Sequence, residues 1–322
     1  MSRLSAAGRW VAWGVLTGSA AGLVLGALGR FSPELDVIAN GRGHLIGLFG
    51  FAALALWLDY RPVLVVALGA FITLAGHALL AQQSQSPWIG TAQASTPGSW
   101  SVLSLNTWHN HPSGYALADQ LIAAKADILV LTEFGPNKIS LLHTLQETYP
   151  YRVDCAADWE CAVALLSRHP FASSGSVSEA EGNGPARAWI TFGAGAEAFT
   201  IMGVHIMGPT RSPWRHARET AALAELIHQL PGEVLAAGDF NTTPWTSGFS
   251  RFSQVSGLTH MGRFLPTYPS GGARLPQLAI DHMFATPAIH FDEVWLGEDM
   301  GSDHRPVLVR ITLPAAVPAS GG

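Results

Sequence analysis

The stretch Glu233–Trp245, EVLAAGDFNTTPW, governs the reading of the whole chain. Its first half is a run of mostly small or apolar residues closed by Gly238, the pattern of an interior strand, and the polar cluster that follows must leave the sheet at the strand's carboxyl end. Residues two apart on an extended backbone face the same way. Asp239 and Asn241 therefore point together into the crevice where open α/β sheets bind their ligands.

Other segments supply similar strand ends. SVLSLNTW from Ser101 and DILVLTEF from Asp127 read as strands, and GYALADQLIAAKA from Gly114 between them has helical spacing. The right-handed crossover of such a βαβ unit makes its strands parallel, so Asn106 and Glu133 emerge on one edge of the sheet. A helix is expected over about 137–148. Tyr151–Asp154, Ala162–Ser167, Ala186–Phe192 and Phe199–Met207 read as an antiparallel meander. Pro213–Leu230 is helical, with Leu223, Leu226, Ile227 and Leu230 as its inner stripe. Trp245–Val255 reads as a further helix, and the strands 278–285, 290–296 and 305–313 close an α/β domain.

With 322 residues, 13% of them charged, and a mean hydropathy of +0.24, the chain is too apolar for an ordinary soluble domain. The apolar excess lies at the amino end. Trp10–Gly29 and Pro62–Ala81 are uncharged runs of 20 residues each, about the length that crosses a ~30 Å hydrocarbon layer. His44–Leu58 between them is apolar but only about 22 Å long as a helix, and spans only with snorkelling or local thinning. The expected organisation is a membrane anchor over 1–81 with two or three transmembrane helices (about 10–29, 43–58 and 62–81), a Gln/Ser/Thr/Pro/Gly linker over 82–99, a catalytic domain over 100–313 and a tail over 314–322. Arg3 and Arg9 place the amino terminus in the cytoplasm, although Arg30 and Arg42 weaken that bias. Three spans then put the domain outside the cell membrane as part of a multi-pass protein, and two leave it inside. Cys155 and Cys161, the only cysteines, either close a short loop in an oxidising compartment or are two unrelated thiols.

Beyond the anchor, 13 Lys and Arg remain once Arg3, Arg9, Arg30, Arg42 and Arg61 are set aside, against 20 Asp and Glu once Glu34, Asp36 and Asp59 are. A net charge of about −7 argues against a non-specific grip on nucleic acid, which works by neutralising phosphates with Lys and Arg. A small phosphate ester remains compatible with it.

The strand ends carry Asn106, Glu133, His205, Asp239, Asn241, Asp281 with His282, and Asp303 with His304. These are oxygen and imidazole groups, a donor set that suits a hard divalent cation such as Mg²⁺, or Mn²⁺ in its place. Asp–His pairs supply a base near neutral pH and the carboxylate that fixes its tautomer. The runs LSLNTW, LVLTEF, GVHIMGP, GDFNTTPW, IDHMF and GSDHRP stand in an order and spacing similar to the endonuclease/exonuclease/phosphatase superfamily, which the chain resembles from about Trp100 to Leu313.

That resemblance implies a four-layer α/β sandwich of two mixed sheets flanked by helices, and hydrolysis of phosphate esters with Mg²⁺. It implies Glu133 as principal metal ligand with Asn106 close by and Asp303 helping to hold the metal. It makes His304, oriented by Asp281, the acceptor of the attacking water's proton, with Asp239 as the competing candidate. Asn241 and His205 would hydrogen-bond the phosphoryl oxygens. Arg187 is expected near the same groove, and His282 either contacts phosphate or packs. His109 and His111 form an H-x-H that a zinc site of another kind could use, but zinc needs three or four matched ligands. Trp108, Trp214 and Trp245 rim the pocket or simply pack. The substrate class is then a phosphate ester, with a lipid-linked phosphate favoured by tethering. A nuclease using Arg211, Arg215 and Arg218, or a silent binding module on the same scaffold, are the alternatives.

Overall fold

A computed structural model describes residues 4–57, 99–110, 114–178, 184–271 and 277–314. The expected span over 62–81, most of the linker, His111 and the tail beyond 314 lie outside the described residues. The chain divides into two compact units, Met1–Ser86 with Thr243–Phe249, and Pro87–Thr242 with Ser250–Gly322.

In the first unit, helix α1 (Ala6–Ala27) is 22 residues long and opens on Ser5, whose side chain accepts the amide of Gly8. It is long and apolar enough to cross a membrane, and a signal sequence near an amino terminus has the same properties. Helices α2 (Pro33–Ala39) and α3 (Arg42–Trp57) follow, bent from one another by 58°. Small residues let these helices close up. A side chain at Gly26 would press on the backbone of Ala39, and Ala52 and Ala53 are fully buried. Within the same unit Asp36 accepts the amides of Ser247 and Gly248 at 2.7 and 2.8 Å, and Asn40 accepts that of Thr243 at 2.7 Å.

The second unit is built on two six-stranded mixed sheets. In the first sheet β1 (Ser99–Asn106) lies parallel to β2 (Ile128–Thr132), with α4 (Gly114–Ala123) as the expected crossover between them. Beyond β2 come β4 (Val163–Ser167) and β3 (Tyr151–Asp154). On the other side of β1 come β12 (Val307–Thr312) and β11 (His290–Leu296). The second sheet runs β5 (Ser173–Val177), β6 (Ala186–Phe192), β7 (Phe199–His205), β8 (Glu233–Asp239), β10 (Asp281–Ala285), β9 (Thr259–His260), with β7 and β8 parallel. The expected meander is thus split. Its pairs are antiparallel, but β3 and β4 belong to one sheet and β6 and β7 to the other. Helix α5 (Ile139–Leu145) is shorter than expected, preceded by a 3₁₀ turn over Pro136–Lys138. Helices α6 (Pro213–Ile227) and α7 (Ser247–Ser256) fall where their patterns put them.

Alternation on the strands builds two cores. Val102, Ile128, Val130, Val163 and Leu165 of the first sheet meet Ala188, Ile190, Ile201, Leu235 and Met283 of the second between the sheets. Their neighbours Leu103, Leu105, Leu129 and Leu131 face the other way, onto Leu117 and Leu121 of α4 and Leu141 and Leu145 of α5. Gly203 lets the sheets approach, because a Cβ there would strike Leu165 and Val130. Cys155 and Cys161 are joined as a disulfide, with Cα atoms 5.7 Å apart.

Candidate active site

The inter-sheet rows of apolar side chains end in polar ones. On β1 the row Val102–Ser104 ends on Asn106; on β7 the row Ile201–Gly203 ends on His205; on β8 the row Leu235–Ala237 ends on Asp239. Strand β10 runs the opposite way and so begins with Asp281, paired with Asp239, which is itself paired with His205 across the parallel ladder. Gly238 makes this rung feasible: its φ is +144° and a Cβ would collide with the carbonyl of Val204. One rung therefore carries His205, Asp239 and Asp281 side by side, facing Asn106 on the other sheet.

Glu133 arrives differently. It lies one residue past β2, with φ of +51°, a left-handed conformation uncommon for a non-glycine residue. Its Oε1 accepts the Asn106 amide nitrogen at 3.0 Å, and the same nitrogen stands 2.9 Å from Asp239 Oδ2. Asn106 Oδ1 accepts the amide of Trp108. His109 binds Glu133 Oε2 twice, through its backbone amide and Nδ1, each at 2.8 Å. Burial alone would raise the Glu133 carboxyl. His205, the Asn106 amide and both His109 contacts overcome it and hold the group at about 2, so Glu133 is a fixed anion.

Asp239 is the opposite case. It is almost wholly buried, and burial together with repulsion from Asp281 raises it to about 6, against the pull of His304, His205 and Asn106. Asn241, also left-handed at φ +51°, donates its backbone amide to Asp239 Oδ1 and its side-chain amide to Asp239 Oδ2 and the Ile206 carbonyl. His205 Nε2 stands 3.7 Å from Glu133 and 3.9 Å from Asp239.

His304 sits in the loop before β12. Its Nδ1 is 2.7 Å from Asp281 Oδ2, which leaves Nε2 directed at Asp239 Oδ2 at 3.9 Å. Burial would lower this imidazole, but Asp281, Asp239 and Asp303 raise it to about 10. Asp303 is half-buried, raised by burial and by Glu133 against the pull of His304. Ser302 ties the loop to β1 by donating to the Asn106 carbonyl at 2.6 Å and accepting the His304 amide at 3.1 Å, and the Tyr268 ring packs on His304 with centroids 4.8 Å apart.

Arg187 stands elsewhere than the expected groove, and His282 takes the packing alternative. Arg187 pairs with Val204, one position out of step with His205, so its side chain leaves the opposite face of the sheet. It is buried and donates to the Pro185 carbonyl at 3.0 Å. His282 is fully buried, with Nε2 2.8 Å from the Thr242 carbonyl and Nδ1 3.1 Å from His260 Nε2. Since the Gly262 amide donates to His260 Nδ1, His260 donates to His282 and His282 to Thr242, a chain of two neutral imidazoles with no nitrogen left for phosphate. Of the tryptophans, Trp214 is exposed and Trp108 half-buried. Arg215 is joined to Glu219 at 2.6 Å. Ser302 lies inside the run GSDHRP, whereas Lys138, Tyr268 and His260 are marked by no motif.

The donor set fits a cation. Glu133, His205 and Asp239, and again Asp239, Asp281 and His304, bring ligand atoms within 4.8 Å of one another. Asp281 Oδ1 is buried without a hydrogen-bond partner among the described residues.

Residues 103–304 match the model of the Endonuclease/Exonuclease/phosphatase family. The chain belongs to that family. As a member of the Endonuclease/Exonuclease/phosphatase family it is a metal-dependent phosphoric ester hydrolase. Solved structures with the same fold include D. rerio TDP2 complexed with single-strand DNA product, at TM-score 0.56 and 14% identity over 66% of this chain and 99% of that one. An endonuclease/exonuclease/phosphatase family protein from Bacteroides thetaiotaomicron aligns at TM-score 0.54 and 16% identity, over 68% of this chain and all of that one. Sphingomyelinase C from Streptomyces griseocarneus aligns at TM-score 0.51 and 16% identity, again over 68% of this chain and 100% of that one. No curated protein matches the chain.

Proposed function

We propose that the chain is a membrane-tethered, Mg²⁺-dependent phosphodiesterase or phosphatase whose substrate is a phosphate ester carried by a lipid. The observation that carries the hydrolase centre is the contact of one Asn106 amide with both Glu133 and Asp239, which sets two carboxylates from different sheets around a common point.

Glu133, with Asp239 and His205, would hold the cation, and Asp303 stands close enough for its charge to act on Glu133. In this arrangement Asn106 orients the carboxylates through its amide nitrogen, its oxygen being engaged by Trp108. A bound Mg²⁺ would polarise the phosphoryl oxygens and acidify a water molecule. Asp281 fixes the His304 ring so that Nε2 faces Asp239 across 3.9 Å, where a water can accept from the imidazole and donate to the carboxylate. Asp239 and His304 thus form one proton-accepting unit, whose two titrations belong to the pair. His205 and Asn241 line the same point and stabilise charge on the phosphoryl oxygens.

Support for the membrane comes from α1, from the α2–α3 pair that together are apolar enough for a second span, and from the uncharged run at Pro62–Ala81. The Cys155–Cys161 disulfide supports an extracytoplasmic domain. Tethering raises the local concentration of anything in the same membrane, which favours a lipid-linked ester. The net negative charge of the domain disfavours nucleic acid. The test is a panel of phospholipid, lipid-phosphate, nucleotide and plasmid DNA substrates given to the full chain with Mg²⁺. Turnover of a lipid ester with no plasmid nicking is expected, and nicking without lipid turnover would make the chain a nuclease.

A further inference from the structure

Three non-glycine residues of the site adopt left-handed backbones: Trp108 at φ +53°, Glu133 at +51° and Asn241 at +51°. Each follows a strand end and turns the chain so that side chains from different strands converge. Such conformations persist only where surrounding contacts hold them. Asn241 is held by Asp239 and Ile206, both within the second sheet and its loop. The carbonyls of Trp108 and Glu133 are bridged by one side chain.

That side chain is Lys138, one of two lysines in the chain and 2% exposed. Its Nζ donates to the Trp108 carbonyl at 2.8 Å and to the Glu133 carbonyl at 3.1 Å. The neighbouring Asn137 donates to the His109 carbonyl at 2.7 Å, so the Pro136–Lys138 turn grips two successive residues of the loop after β1. That loop returns the grip, because the His109 amide and imidazole both bind Glu133 Oε2. A buried ammonium is costly unless its hydrogens and charge are used. Here two hydrogens go to the two strained carbonyls, and the negative charges of Glu133 and Asp303 offset the burial that would otherwise depress the lysine further.

We propose that Lys138 is a positioning residue: by clamping the Trp108 and Glu133 carbonyls it locks two left-handed turns in the one relative placement that delivers the Glu133 carboxylate to Asn106 and His109. The Lys138 ammonium bonds backbone carbonyls and acts through Glu133. The inference rests on the metal-hydrolase reading of the same site. Its effect is therefore expected in metal affinity and kcat, and not in KM.

The experiment compares the full wild-type chain in detergent with Lys138→Met and Lys138→Gln. Three quantities are measured: Mn²⁺ affinity by calorimetry, kcat and KM on bis-p-nitrophenyl phosphate, and melting temperature. Lys138→Met is expected to weaken Mn²⁺ binding by about tenfold or more, as loss of a group supporting a metal ligand does, and to lower kcat with KM within about twofold. Lys138→Gln, a shorter donor, is expected to fall between Met and wild type. A folded Lys138→Met with wild-type Mn²⁺ affinity and kcat overturns the inference. If the Met variant does not fold, wild-type values in Lys138→Gln overturn it equally. A wild-type chain that neither binds Mn²⁺ nor turns over any ester overturns instead the reading on which the inference rests.

Discussion

Asp281 Oδ2 lies 2.7 Å from His304 Nδ1, in surroundings that leave both side chains almost no contact with solvent. The pair fixes the orientation of the ring and points its other nitrogen at Asp239. Replacing Asp281 by Asn should lower kcat roughly 10²–10⁴-fold while KM changes little, as happens when the carboxylate that orients a catalytic imidazole is lost. In the same variant the His304 titration should leave the region of about 10 and move toward the ordinary imidazole range. Steady-state kinetics together with NMR of the histidine ring measure both, and an unmoved His304 titration would contradict the pairing.

Asn106 keeps two carboxylates together by donating to each. Asn106→Asp replaces the shared donor with a third negative charge and should destabilise the metal-free chain by about 1–3 kcal/mol, the scale of a lost buried hydrogen bond. Mg²⁺ should then raise the melting temperature of the variant more than that of the wild type. Equal shifts in the two proteins would count against a cation at this point.

The buried imidazoles make stability depend on pH in a defined sense. His282 is lowered to about 4 by burial, and His260 is lowered well below its usual value by burial and by His282. The unfolded chain takes up these protons first, so stability is lost as pH falls from about 6.5 toward 4, by up to about 3 kcal/mol for His282 at ~1.4 kcal/mol per pH unit. His304 acts in the other direction. Its raised value means that its contribution is fully present below about 6.5 and is lost as pH rises toward 10. Denaturant titrations at pH 7 and pH 5 should show the acid loss in wild type and a smaller one in His282→Gln. A His282→Gln chain with the full acid slope would exclude the imidazole chain as its source.

The disulfide closes the loop between β3 and β4, in which Trp159 lies against Gly135, two residues beyond Glu133. For so short a loop the chain-entropy estimate is about 2 kcal/mol. Cys161→Ser should therefore lower the melting temperature by several degrees. The hydrogen bonds of Glu133 to Asn106 and His109 do not involve this loop. Activity at room temperature should accordingly stay within about threefold of wild type, because the bonds that place the Glu133 carboxylate remain.

Much of this site was legible because its residues end strands. GDFN, LTEF and LSLN each close a recognisable apolar run, and the parallel βαβ unit had to bring Asn106 and Glu133 to one edge. The division of the meander between two sheets was not legible, because Val163 and Leu165 of one sheet and Ile201 of the other face the same core and carry the same alternating pattern. Strand β5, SSGSV, has almost no apolar pattern and forms through its pairing with β6, with Gly175 accommodating Trp189. Arg187, expected near the groove, is one residue out of step with His205 and leaves the other face of its sheet. His260 and Lys138 act through contacts 22 and 30 residues away along the chain, which neither periodicity nor spacing encodes.

The most direct measurement is hydrolysis of bis-p-nitrophenyl phosphate by the full chain and by Glu133→Ala, each with Mg²⁺ and with a chelator in excess. Wild type should turn over with Mg²⁺ and stop with chelator, and Glu133→Ala should lose roughly 10³-fold or more in kcat, since the group proposed to anchor the cation is gone. Undiminished turnover by Glu133→Ala, or by wild type in chelator, would mean that the meeting of Glu133, Asn106 and Asp239 is not where the ester is cleaved.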